Sequence, residues 1–491
     1  MKRRDFLKTT TGAMAALALG SPASLLAQNP HKRPNLLFIT VDDMNWSMPG
    51  FMGDKLGLTP NLDKLAAQSH CFVNNRTTAP ICQPSREAMM TGRVPHRSGG
   101  LSFTPIYEGI PTMTTVLKNA GYYTAAIHKI EHMQPPSCFP WDHEYPGKDR
   151  AVTDYSNGVR EQIAAARAAG KPFFINCNIN DPHRPFYGSR GAAEMDHDDQ
   201  GPYAIPHPLT ADDITTLPEI LEPLPAVRKE YAQYCNSNQR ADRSIGAVLD
   251  ELAQSPEGDN TIIFFSADHG MPFPFSKATG YDYGSRTPAL LRYPGMGRAK
   301  TFEERTCNID YMPTLLDLMG VEKPVGMDGV SWKPLLNGGS YGGPELRVIC
   351  VNSLHSKIHY PQRSIQDDRY SLLFMPWSDG DLEFHAESMI GFTWNAMLEA
   401  AKTDQKIAAR CNQYLMGLPL AFYDLKNDPG QRHNLLDRPE HAARIAHFKE
   451  GLTEYMERTT DPQLGNWANY LAGKPMHVEQ LAGVRLYRKT A

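Results

Sequence analysis

Pro34-Asn35-Leu36-Leu37-Phe38-Ile39-Thr40-Val41 is a short, nearly continuous apolar run that stops abruptly at Asp42-Asp43. Such a run reads as a strand buried on both faces, which only a sheet covered by helices provides. Three later runs end the same way: Tyr122 to Ile127 in His128-Lys129, with His132 just beyond; Pro172 to Asn178 ahead of Asp181-Pro182-His183-Arg184; and Thr261 to Ser266 in Asp268-His269-Gly270. Helical patterns fall between them at Asn61 to Ser69, Met113 to Asn119, Val159 to Ala169 and Val227 to Leu252, two closed by Gly121 and Gly170. This alternation predicts an α/β sandwich around a large, mostly parallel sheet. Ligands of such sheets bind beyond the carboxyl ends of the strands. One ionisable pair there would be a solvated turn; four at matching positions argue for a site.

Ala289 to Tyr293 reads as one further strand and Pro313 to Met319 as a helix. A Gly- and Pro-rich stretch from Ser331 to Gly343 predicts a boundary, dividing residues 28–335 from a C-terminal subdomain at 336–491. There, Arg347 to Val351, Arg363 to Gln366, Arg369 to Phe374 and Phe422 to Leu425 predict a short antiparallel sheet, covered by an amphipathic helix from His441 to Arg458. Residues 188–225 read as a surface excursion, and the loops from 376 to 420 give no assignable element.

Residues 1–27 read as a targeting segment. Arg3-Arg4-Asp5-Phe6-Leu7-Lys8 is a twin-arginine pattern followed by a weakly apolar run, with cleavage near Ala27 and export of the folded protein. Its removal takes away four cations and one acid, so the net charge of −4 becomes −7. That balance excludes a long basic track for nucleic acid, so an anionic substrate needs a local cluster of cations. No later apolar run is long enough for a membrane span. The eight cysteines show neither Cys-x-x-Cys nor zinc spacing, and Cys177 and Cys350 lie in strand-like runs as core thiols.

The most specific string is Cys82-Gln83-Pro84-Ser85-Arg86, leading through an apolar helical run to Thr91-Gly92-Arg93. Pro84 suits a first helical turn, which places Cys82 at a helix N-terminus, where an anion is favoured. This stretch resembles the signature of the type I sulfatases. The resemblance implies an alkaline-phosphatase-like fold and oxidation of Cys82 to formylglycine by a maturation enzyme. The hydrated aldehyde would attack sulfur, and a sulfo-enzyme intermediate would collapse to release sulfate. Asp42, Asp43 and Asp268 are hard oxygen ligands. With His269 and the modified Cys82 they match the family's single-cation site, usually Ca²⁺; Mg²⁺ and, because of His269, zinc are alternatives. Arg86 matches the arginine beside the formylglycine. Lys129 and His132 match a Gly-Lys-x-(x)-His pattern in which His128 replaces glycine. His183 is assigned to the leaving atom and Lys277 to sulfate.

The strings Asn180 to Arg184, Gly270 to Pro274, Tyr360 to Gln366 and Tyr423 to Pro429 resemble the heparan N-sulfatase (sulfamidase) branch most. They imply a sulfated glycan substrate cut at a terminal sugar such as N-sulfoglucosamine, held by Arg184, His355, His359 and Arg363. An O-sulfatase, or a phosphodiester or phosphonate hydrolase of the same superfamily, is the alternative.

Overall fold

The computed structural model describes residues 33–147, 150–189, 203–355 and 358–479. The twin-arginine segment and residues 190–202 of the surface excursion lie outside them. Among the described residues, no helix is long and apolar enough to cross a membrane.

The first sheet has eight strands: β1 (Asn35–Asp42), β2 (His70–Phe72), β3 (Tyr123–Ile127), β4 (His143–Tyr145), β5 (Phe173–Pro182), β6 (Thr261–Ala267), β7 (Ala289–Arg292) and β8 (Thr301–Phe302). Their order is β4-β3-β5-β1-β6-β7-β2-β8. β1 runs parallel to both β5 and β6, and β3 parallel to β5, while β7 is antiparallel to its neighbours. The two faces explain the unbroken apolar run of β1. Leu37, Ile39 and Val41 join one core with Tyr231, Cys235 and Ile245 of the helix Pro225–Gln254. Leu36 and Phe38 join another with Met89, Tyr311 and Leu315. Fully burying each such side chain favours folding by about 1.5–3 kcal/mol, so alternate residues are held from opposite sides and the strand end is fixed.

The second sheet is antiparallel, in the order β12-β11-β10-β9, from β9 (Arg347–His355), β10 (Ile358–Gln366), β11 (Tyr370–Phe374) and β12 (Leu420–Asp424). The helix Ala442–Thr459 covers one face with Phe448, Leu452 and Met456. Leu373, Ala421 and Tyr423 on the other face join the first core. Cys350 N–H donates to Thr78 O at 2.7 Å, tying the second sheet to the chain just before Cys82.

The stretch read without elements carries two helices, Phe392–Ala400 and Gln405–Met416. The reading also missed β2, β4 and β8, which have only two or three residues each and are too short to show a period.

Candidate active site

Cys82 begins the helix Cys82–Thr91, every residue of which is buried. Ser85 N–H makes the first helical bond, to Ile81 O, and Gly92 ends the helix at φ 64°, a left-handed conformation that glycine takes without strain. Arg86, one turn on, is pinned rather than free. Its Nη1 donates to Thr40 Oγ1 (2.9 Å) and Asn178 Oδ1 (2.7 Å), and its Nη2 to Asp268 Oδ2 (3.0 Å). It therefore ties the ends of β1, β5 and β6 together beneath Cys82.

The chain turns sharply after β1, with Asp43 in the left-handed region at φ 68°. Tyr234 holds that turn from the long helix, donating to Asp43 O (2.7 Å) and accepting from Asn45 N–H (2.8 Å). Asp268 Oδ1 accepts from the backbone N–H groups of Asp43 (3.0 Å) and His269 (2.9 Å). His269 Nδ1 donates to Gly270 O at 2.9 Å, so the neutral ring offers a bare Nε2, 3.2 Å from Cys82 Sγ and 3.3 Å from Asp43 Oδ1.

This arrangement tests whether a cation fits. Ligand atoms of Asp42, Asp43, Cys82 and His269 all lie within 4.8 Å of one another. Both Asp42 oxygens and Asp43 Oδ1 are buried and accept no well-aligned hydrogen bond. Converging lone pairs of this kind repel unless a positive ion sits among them, and the oxygen donors suit a hard divalent one. Asp268, expected as a ligand, stands beside the Asp42 carboxyl at the edge of this set, with Oδ1 accepting from two backbone N–H groups and Oδ2 from Arg86.

Arg86 and two lysines surround the same point. Lys129 Nζ contacts Asp42 Oδ2. Lys277 Nζ lies 2.9 Å from Asp43 Oδ1 and 2.9 Å from Glu387 Oε2. Burial alone would raise Asp42, yet Lys129, Arg86 and Lys277 hold its carboxyl well below the usual range. Burial, with Lys277, lowers His183 to about 4 and His269 to about 3. Burial and Lys129 lower His132, whose ring stands edge-on to Phe103. Burial and the charge of Asp42 push the Cys82 thiol well up. That environment disfavours the thiolate, the form in which an unmodified cysteine is a nucleophile.

His128 and Lys129 both sit at positive φ, 56° and 50°, where a glycine would be unstrained. His128 offsets that strain with Nε2–H to Asp154 Oδ2 (3.0 Å) while Nδ1 accepts from Asn180 Nδ2 (3.2 Å).

One expected substrate contact, Arg363, is corrected. Arg363 is fully buried in an ion pair with Asp461, at 2.6 and 2.8 Å, and cannot reach a ligand. Arg184 donates to Glu230 Oε1 (2.6 Å) and Pro272 O (3.1 Å), lies over the Phe186 ring and sets its charge near Glu387 at the rim. His359 lies on β10 with Glu479 as its charged neighbour. The side chain of His355 lies outside the described residues. Asp181 is likewise taken up, by Arg240 and Arg150. Sequence reasoning missed Glu387, which reaches Lys277 and His183 from the stretch between β11 and β12; no motif marks it.

The sheet order and the helices around it are those of the alkaline-phosphatase-like fold. The chain belongs to the sulfatase family, whose model, described as Sulfatase, matches residues 34–321, and it is a sulfuric ester hydrolase. A second model, described as N-sulphoglucosamine sulphohydrolase, C-terminal, matches residues 268–375. Relatives include the Ulvan-active sulfatase of Formosa agariphila, 26% identical over 474 residues and covering 88% of this chain and 76% of that protein. The N-sulphoglucosamine sulphohydrolase of Homo sapiens is 24% identical over 467 residues, covering 87% and 91%. Among solved structures, a 2-O GAG sulfatase superposes with TM-score 0.62 at 22% identity, covering 90% of this chain and 94% of that one. A protein in complex with its substrate D-glucosamine-2-N,6-O-disulfate gives 0.63 at 19%, covering 88% and 99%.

Proposed function

We propose that this protein is a formylglycine-dependent sulfatase that removes sulfate from the terminal sugar of a sulfated glycan, with N-sulfoglucosamine its leading substrate. The observation that carries the reading is the cluster of Arg86, Lys129 and Lys277 on the Asp268, Asp42 and Asp43 carboxylates that surround Cys82 at a helix N-terminus. Cys82 Sγ marks the place of the formylglycine oxygens, and the hydrated aldehyde would supply the nucleophile that the buried thiol is not. A divalent cation, Ca²⁺ by preference, would be held by Asp42, Asp43, His269 and residue 82, and would supply positive charge to the sulfuryl oxygens.

The chain's own residues do the rest. Lys129 and Lys277 neutralise the sulfate from two sides. Arg86 and Asp268 keep residue 82 and the Asp43 turn in register. His132 stands beside Lys129 to take or return a proton at residue 82, and His183 faces the leaving atom. Support for the sulfamate comes from the model match at residues 268–375 and from the human relative. An O-sulfatase is the second reading, favoured by relatives named Delta 4,5-hexuronate-2-O-sulfatase and N-acetylgalactosamine-6-sulfatase. Folding before export by the twin-arginine route suits the eight cysteines, all buried and unpaired, since none needs an oxidising compartment to fold.

The matured enzyme should be assayed in parallel on N-sulfoglucosamine, 6-O-sulfated N-acetylglucosamine and sulfated fucose or galactose. Turnover of the sulfamate is the expected result. Turnover of an O-sulfated sugar with none of the sulfamate would retire the N-sulfatase assignment.

A further inference from the structure

Glu387 opens the short helical turn Glu387–Met389. Its Oε2 lies 2.9 Å from Lys277 Nζ, and its Oε1 lies 3.9 Å from His183 Nε2, beyond hydrogen-bond length. The side chain keeps 34% of its surface exposed, whereas Lys277 keeps 5%. The carboxylate therefore stands at the open side of the cation cluster.

The position is built in. Ser388 Oγ and Tyr414 OH are hydrogen-bonded at 2.7 Å, fixing the turn to the helix Gln405–Met416. Glu230, on the long helix, accepts from Thr393 N–H (2.6 Å) and Arg184 Nη1 (2.6 Å), clamping the following residues. The backbone at Gly391 passes so close that a Cβ there would fall 2.2 Å from Glu230 Oε1.

A carboxylate beside a pocket of cations weakens that pocket's grip on an anion, so its use has to be toward the uncharged side of the substrate. His183 points the same way. Its Nδ1 lies 2.6 Å from Arg184 O; a carbonyl only accepts, so Nδ1 carries the proton and the neutral ring presents a bare Nε2. Two acceptors thus face one another across 3.9 Å, a gap that a donor on the substrate would bridge. The bridging atom of a sulfamate bears an N–H. The bridging oxygen of a sulfate ester bears no hydrogen and would meet the two acceptors with its own lone pairs. A site built to bond an N–H rejects the analogue that lacks it much more strongly than a merely apolar pocket would.

We propose that the Glu387 carboxylate accepts from the single N–H of the scissile nitrogen, with His183 Nε2 as the weaker arm of a three-centre bond, and so selects sulfamates over sulfate esters. This rests on the N-sulfatase reading above and adds the residue that would enforce it.

The test compares kcat/KM for N-sulfoglucosamine with that for 6-O-sulfated N-acetylglucosamine and 4-nitrophenyl sulfate, using matured full-length wild type, Glu387→Gln and Glu387→Ala. Both substrate classes are read on the same sample, so the ratio cancels any unfolded or unmodified fraction. The ratio of sulfamate to ester turnover should fall by about tenfold or more in both variants, the loss of a charge-assisted hydrogen bond. Inhibition by the product amine, glucosamine, should also weaken relative to inhibition by glucose. Equal losses on both substrate classes, with the ratio within about twofold of wild type, would overturn the inference and reduce Glu387 to a partner of Lys277, leaving the N-sulfatase reading intact. Wild-type protein that cleaves the esters and not the sulfamate would overturn that reading and the role of Glu387 with it.

Discussion

Replacing Arg363 by Met should cost stability while leaving turnover per folded molecule in place. The guanidinium is buried and forked onto Asp461 through Nε–Oδ2 (2.6 Å) and Nη2–Oδ1 (2.8 Å). Its remaining N–H groups go to Val351 O, Gln362 O and Asn352 Oδ1, each at 2.9 Å. Removing the cation strands the Asp461 carboxylate in the interior, a loss of about 3–5 kcal/mol. At about 2.1 cal/mol/K per residue, a folded unit of this size loses about 1 °C of melting midpoint per kcal/mol, so the midpoint should drop by about 3–5 °C. Pairing Arg363→Met with Asp461→Leu leaves no orphaned ion and should recover most of that drop. Scanning calorimetry gives the midpoints, and kcat/KM normalised to folded protein gives the activity. An unchanged midpoint with a tenfold rise in KM would refute the reasoning and return Arg363 to the substrate pocket.

A second prediction concerns Glu87, whose carboxyl burial pushes up from 4.5 to about 9. The folded state then holds a proton that the unfolded state releases, so stability falls as pH rises between those values, by about 1.4 kcal/mol per unit. Glu87→Gln should flatten that slope, and melting at pH 6 and pH 8 checks it; parallel slopes for the two proteins would contradict it. Third, elemental analysis should find one divalent ion per chain in wild type and none in Asp43→Asn. Adding Ca²⁺ at about a hundred times its dissociation constant should stabilise chelated wild type by about 2.7 kcal/mol and the variant much less. Two tightly held zinc ions per chain would contradict the single hard-cation site.

The strand ends were legible because β1, β5 and β6 are buried on both faces, and an apolar run of that kind shows plainly in a sequence. The helix carrying Cys82 was legible from Pro84 and Gly92, residues whose backbone preferences leave little choice. What pairs with what was not. Asp181 and Arg363 look like site residues in one dimension because both are charged and stand beside telling motifs. Each is neutralised by a residue far along the chain, Arg240 in one case and Asp461 in the other. Asp268 was placed at the right strand end, but its orientation is set by two backbone N–H groups that only the folded turn creates. Glu387 carries no signal at all, since its place depends on Glu230 and Tyr414 clamping the chain around it.

The central claim is that Cys82 acts as formylglycine, and the mass of the peptide containing it tests that most directly. Protein matured to full activity should yield that peptide with the mass deficit of a thiol turned into an aldehyde, and specific activity should rise in proportion to the converted fraction. A fully active preparation in which Cys82 remains an intact thiol would contradict the account.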